Sequence, residues 1–114
     1  MKTLFLVEDK LPFELEFEDN LNNLQALVGG HIEVLSIHTE GYRSIDLIFN
    51  EEGKFLFDSS NLLLVYDGKV VDDIRGNVII VAANENTGDF ESLTDEEIKK
   101  YMEMFNDNNL VHLG

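Results

Sequence analysis

The stretch NVIIVAA, residues 77–83, decides the fold. From Val78 to Ala83 it contains no polar side chain, and four of those six residues are Val or Ile. β-branched residues suit a pleated strand, and an apolar run of this kind is the mark of a strand that is buried rather than half-solvated. It is far short of the roughly 20 residues that cross a membrane as a helix. Arg75-Gly76-Asn77 precedes it, and the polar loop NENTGD at 84–89 follows. Both are turn-forming. The stretch therefore predicts the most deeply buried strand of a sheet.

Downstream lies the best-marked helix. Thr94-Asp95-Glu96-Glu97 is a capping box, in which Thr94 can accept from the Glu97 amide while Glu97 reaches back. Leu93 and Ile98 can form the hydrophobic staple, and Ile98, Tyr101, Met102 and Phe105 make the apolar stripe. NDNN ends the helix, and LVHLG is a tail that either pairs with a sheet edge or frays.

Upstream, the pattern alternates strands and turns. LLLVY and KVVDDI flank Asp67-Gly68, a type I′ hairpin signal. HIEVLSIH and SIDLIFN flank the turn TEGYR, and NEEGK reads as another hairpin, with Gly53 taking positive φ and FLF continuing as a strand. KTLFLV opens the chain as a strand, and residues 12–18 read as a second, in which Phe13, Leu15 and Phe17 alternate with Glu14, Glu16 and Glu18. Alternation places one set in a core and the other outside. Asp19 or Asn20 then caps a helix with Leu21, Leu24, Leu27 and Val28 on one face, stopped by Gly29-Gly30. Many strands and two helices, at about 20–29 and 95–105, imply an α+β fold with a mixed, mostly antiparallel sheet. The expected organisation is one domain over 1–114, with 106–114 as a tail that can be flexible.

Composition narrows the function. The chain has 114 residues, 44 % of them hydrophobic, which suits one domain with a real core. It has no cysteine, which excludes disulfides, thiolate metal sites and a cysteine nucleophile. Glu8 and Asp9 cut off the first apolar run, so no signal peptide is expected. A cytoplasmic protein is the reading. Against 8 basic residues stand 23 acidic ones, for a net charge of −15. Direct binding to nucleic acid is disfavoured, because that affinity comes from Lys and Arg neutralising phosphates. Anionic membranes are disfavoured for the same reason.

Three stretches, taken together, carry a resemblance: LQALVGGHIEVL at 24–35, NEEGK at 50–54 and GDFESLTDEEIKKY at 88–101. In this order and at about this spacing they resemble the family catalogued as Domain of Unknown Function 3846, over roughly residues 1–105. That family has a proline near the segment after NEEGK, where this chain has DSSN. The resemblance carries over no catalytic residue. It implies a gene of phages, plasmids or bacterial genomes, expressed in a bacterial cytoplasm.

The candidate constellations are mostly structural. Gly29-Gly30 runs from helix to strand, the reverse of a phosphate-cradling loop. His31 and His38 would point to opposite faces of an unbroken strand, and His112 is far away in sequence, so no metal site is expected. Asp67, Asp72, Asp73 and NENTGD lack the spacing of a calcium loop. No catalytic set and no cofactor are expected. Asp95, Glu96 and Glu97 complement the positive end of a helix. The overall charge exceeds the magnitude of about 2–8 that keeps a small domain soluble, and self-repulsion has a stability cost. The expectation is a non-enzymatic interaction protein that binds a basic protein surface through Glu14, Glu16, Glu18, Asp72 and Asp73, in its sharpest form a DNA mimic. The alternative is a small-molecule or cation-binding domain.

Overall fold

A computed structural model of the protein describes residues 1–107 and 110–113, with main chain only for 106 and 107. Its elements are β1 (Lys2–Leu6), β2 (Phe13–Glu16), α1 (Leu21–Val28), β3 (Ile32–Glu40), β4 (Arg43–Asn50), α2 (Gly53–Leu56), β5 (Leu62–Tyr66), β6 (Lys69–Ile74), β7 (Val78–Asn84), β8 (Phe90–Glu91), α3 (Asp95–Asp107) and β9 (Leu110–Leu113). The fold is α+β.

NVIIVAA becomes β7, the middle of a sheet ordered β2-β1-β7-β4-β3, with β8 pairing the end of β7. All pairs in this sheet are antiparallel. An apolar run on both parities is needed because both faces are covered. On one face Val78, Ile80 and Ala82 join Leu4, Leu6, Ile45, Leu47 and Phe49. That face packs against Ile98, Tyr101 and Phe105 of α3, and against Leu62, Leu64, Ile74 and Val111. On the other, Ile79 and Val81 join Phe5 and Ile48 beneath Leu24 and Val28 of α1. Val78, Ile79, Ile80 and Val81 are fully buried, each contributing on the order of 1.5–3 kcal/mol relative to exposure.

A second sheet, ordered β6-β5-β9, backs the larger core. Its hairpin turns at Asp67 and Gly68, which both have positive φ as a type I′ turn requires. β9 pairs parallel to β5, so residues 110–113 of the expected tail join a sheet; Asn108, Asn109 and Gly114 lie outside the described residues.

Local signals at the helix ends act as read. Asn20 Oδ1 accepts from the Asn23 amide at 2.8 Å, and Gly29 closes α1 in the left-handed region at φ 81°. Glu97 N donates to Thr94 Oγ1 (3.1 Å), and Thr94 N donates to Glu97 Oε1 (2.8 Å). Two expectations are corrected. FLF is not a strand: residues 53–56 form the short helix α2, and Gly53 has no positive φ. Glycine is required there because a Cβ would lie 2.6 Å from the carbonyl oxygen of Arg75. The second correction is that strand β2 covers only 13–16, not 12–18.

Candidate interaction surface

The acidic stretch lies on the edge strand β2. Register decides where its side chains go. Glu14 is opposite Leu4 and Glu16 opposite Lys2, whereas Phe13 is opposite Phe5 and Leu15 opposite Thr3. Directly paired residues share a face of the sheet. The glutamates are therefore on the face of the larger core, at the edge where cover has run out, and the apolar set is on the α1 face. Glu14, Glu16 and Glu18 are all exposed, as alternation predicts.

The apolar set is less buried than alternation predicts. Phe13 stays 40 % exposed, resting edge-on against Phe5 with ring centroids 5.6 Å apart. Leu15 and Phe17 are half-buried. An edge strand has cover from one side only, and α1 is just two turns long, so the smaller core thins out before it reaches β2.

Lys2 is the internal partner of the acidic edge. Its Nζ lies 2.8 Å from Asp95 Oδ1 and 3.7 Å from Glu14 Oε1. The hydrogen bond to Asp95, then the charges of Asp95 and Glu14, raise the Lys2 pKa, and the same bond lowers that of Asp95. Among the described residues Glu16 and Glu18 form no ion pair.

Asp72 and Asp73 are on β6, the edge of the other sheet, so the five acids proposed from sequence do not form one patch. Asp72 accepts from Lys54 Nζ at 2.9 Å. Asp73 accepts from Ser60 Oγ and from Arg75 Nη2, the latter at 2.9 Å. The Ser60 bond and then the Arg75 bond hold its carboxyl below the ordinary value. Both aspartates are half-buried and internally engaged.

Arg43 is engaged more fully still, whereas Lys10, Lys69, Lys99 and Lys100 form no ion pair among the described residues. Arg43 grips Glu97 with Nε and Nη2 (3.1 and 2.6 Å), Glu91 with Nη1 (2.9 Å) and the Ser92 carbonyl (3.1 Å). The Arg43 bond is the main reason the Glu97 carboxyl is held low. This clamp ties β4 to β8 and α3, and sequence reading missed it because its partners lie about fifty positions away.

Histidine placement needs one correction. β3 is not unbroken: its register shifts between Ser36 and His38. His38 and His112 line one cleft of about 170 Å³ beside Tyr101. No cluster of three or more His, Cys, Asp or Glu side chains suited to a metal occurs among the described residues.

One surface feature went unread altogether. Phe55 at the tip of α2 is 90 % exposed, with Leu56 beside it at 57 %. The available signal was FLF itself, three consecutive apolar residues between EEGK and DSS with no alternation to bury them.

The class this defines is a small α+β domain with a strongly acidic surface, in which four of the eight basic residues are bound to carboxylates of the same chain. The chain belongs to the family described as Domain of unknown function (DUF3846), whose model matches residues 1–106. No curated protein and no solved structure matches the chain. No helix among the described residues is long and apolar enough to cross a membrane.

Proposed function

We propose that the protein is a non-enzymatic interaction protein of a mobile genetic element or its bacterial host, acting in the cytoplasm, and that its acidic surface docks on a basic surface of another protein. One observation carries the reading. Of the 8 basic residues, Lys2, Arg43, Lys54 and Arg75 are each bound to carboxylates of the same chain. What remains is a large surplus of acid facing solvent, with Glu16 at the end of β2 and Glu18 beyond it in no ion pair among the described residues and Lys2, the one cation at that edge, bound to Asp95. Such a surface accelerates encounter with a basic partner and repels nucleic acid and anionic lipid.

The sharper form, a DNA mimic, needs a regular row of carboxylates. Strand β2 supplies Glu14 and Glu16 in register, and Glu18 continues past its end. Three clefts, of about 130, 170 and 280 Å³, fall below the roughly 300–1,000 Å³ usual for small-molecule sites, which supports surface recognition over the small-molecule alternative.

The test is capture of bacterial proteins on the immobilised full chain at low and high salt, followed by binding of the purified partner to the Glu14→Gln/Glu16→Gln/Glu18→Gln variant. Salt-sensitive binding that the triple variant weakens supports the reading, and displacement by duplex DNA supports the mimic form. Binding indifferent to salt would remove the proposal.

A further inference from the structure

We infer that the α2 turn is a docking knob, with Phe55 as its tip, for a folded protein that carries an apolar pocket rimmed by lysine and arginine. A singly exposed apolar side chain is ordinary. Here the backbone on both sides of the exposed ring is tied down. Before it, Gly53 lies so close to the chain just after β6 that a Cβ would meet the Arg75 carbonyl oxygen at 2.6 Å. After it, the Phe57 ring sits on Gly76, where a Cβ would come within 2.6 Å of the ring. Arg75 Nη1 donates to the carbonyl oxygens of Phe57 and Asp58 at 3.1 and 3.3 Å. A held turn loses little freedom on binding, which is what preorganisation contributes to affinity. Fixed aromatic anchors are where binding energy concentrates in protein interfaces.

Charge selects the occupant. Glu51, Glu52 and Asp58 flank the apolar tip on a chain of net charge −15, and the two cations beside it, Lys54 and Arg75, are each paired with an aspartate of β6. A second copy would bring like charges together at the contact, and an anionic bilayer would repel the rim. A basic protein is drawn in by the same field. The inference rests on the function proposed above and adds the point of contact: the acids hasten approach, and Phe55 governs how long the complex lasts.

The experiment replaces Phe55 with the photo-crosslinker p-benzoylphenylalanine in the full chain, produced in bacterial cells. A control carries the same probe at Tyr42, which is 71 % exposed on another part of the molecule. The protein joined at position 55 is then purified and titrated with wild type, Phe55→Ala and the triple glutamine variant across a salt series. The expected result is a basic protein joined at 55 and not at 42. Its affinity should fall at least about tenfold with Phe55→Ala while its salt dependence is unchanged. No adduct, equal adducts at both positions, a second copy of this chain, an acidic partner, or Phe55-dependent flotation with phosphatidylglycerol vesicles each overturns the inference. If Phe55→Ala binds like wild type while the triple variant loses salt dependence, the acidic reading stands and this one fails. If the reverse holds, the knob stands and strand β2 drops out of the acidic reading.

Discussion

Two acidic stretches of this chain look alike as sequence and are used differently. Asp95-Glu96-Glu97 opens α3, and two of its three carboxylates are bonded: Asp95 to Lys2, and Glu97 to Arg43 and the Thr94 amide. Glu14, Glu16 and Glu18 have between them a single 3.7 Å ion pair, from Glu14 to Lys2. The first stretch builds the fold. The second is charge that the fold does not consume. A count of acids cannot separate the two; the position of the few cations does.

Breaking the structural side of that contrast should have the largest effect. Arg43→Ala removes four hydrogen bonds and leaves the half-buried Glu97 and Glu91 facing each other without a cation. A destabilisation of about 1–3 kcal/mol is expected, below the range for a fully buried pair because the clamp is partly solvated. Urea unfolding measures it, and a change under about 0.5 kcal/mol would erase the distinction between the two stretches.

The next effect is in the acid range. Glu97 and Asp73 have folded-state pKa values lowered from the ordinary 4.5 and 3.8. A lowered value means stability fully present above the unfolded-state pKa and lost as pH falls through the folded one. Stability should therefore drop below about pH 4.5, against a background in which protonating exposed acids relieves repulsion. Glu97→Gln should flatten that acid limb when unfolding midpoints are compared from pH 7 downward. A limb as steep as wild type would place the acid sensitivity elsewhere.

On the unconsumed side the effect should be small. Changing Glu14, Glu16 and Glu18 to Gln should shift stability by no more than about 0.5 kcal/mol, as exposed substitutions usually do, with any gain coming from reduced repulsion. A larger loss would mean the strand's acids are structural after all. Smallest of all is the response to EDTA. No shift in the thermal midpoint is expected, and a clear fall would reveal a metal site.

What could be read from the sequence was local. The β7 run, the Asn20 cap, the Gly29 stop, the capping box and the Asp67-Gly68 turn each depend on neighbours within a few positions. What could not be read depends on distant ones. Gly53 is a glycine because it lies against the carbonyl of Arg75 and not because the chain turns there with positive φ, so EEGK alone reads as a hairpin. Phe13 is exposed because β2 is an edge, and alternation says which residues share a face without saying what covers it. The exposure of the three glutamates was legible. Their counter-ion Lys2 and the Arg43 clamp were not, because no periodicity links residues 2 and 95, or 43 and 97.

The parallel pairing of β9 with β5 has a consequence for synthesis. Leu63 pairs with Leu110, nearly half the chain later. Every pair of the larger sheet, by contrast, lies within residues 2–91. As the chain leaves the ribosome, the larger sheet can be completed while one side of LLLVY is still an open edge. Such an edge invites pairing with other chains. The interval between the emergence of Tyr66 and that of Val111, which is buried in the finished core, is when the nascent protein is most exposed to misassembly.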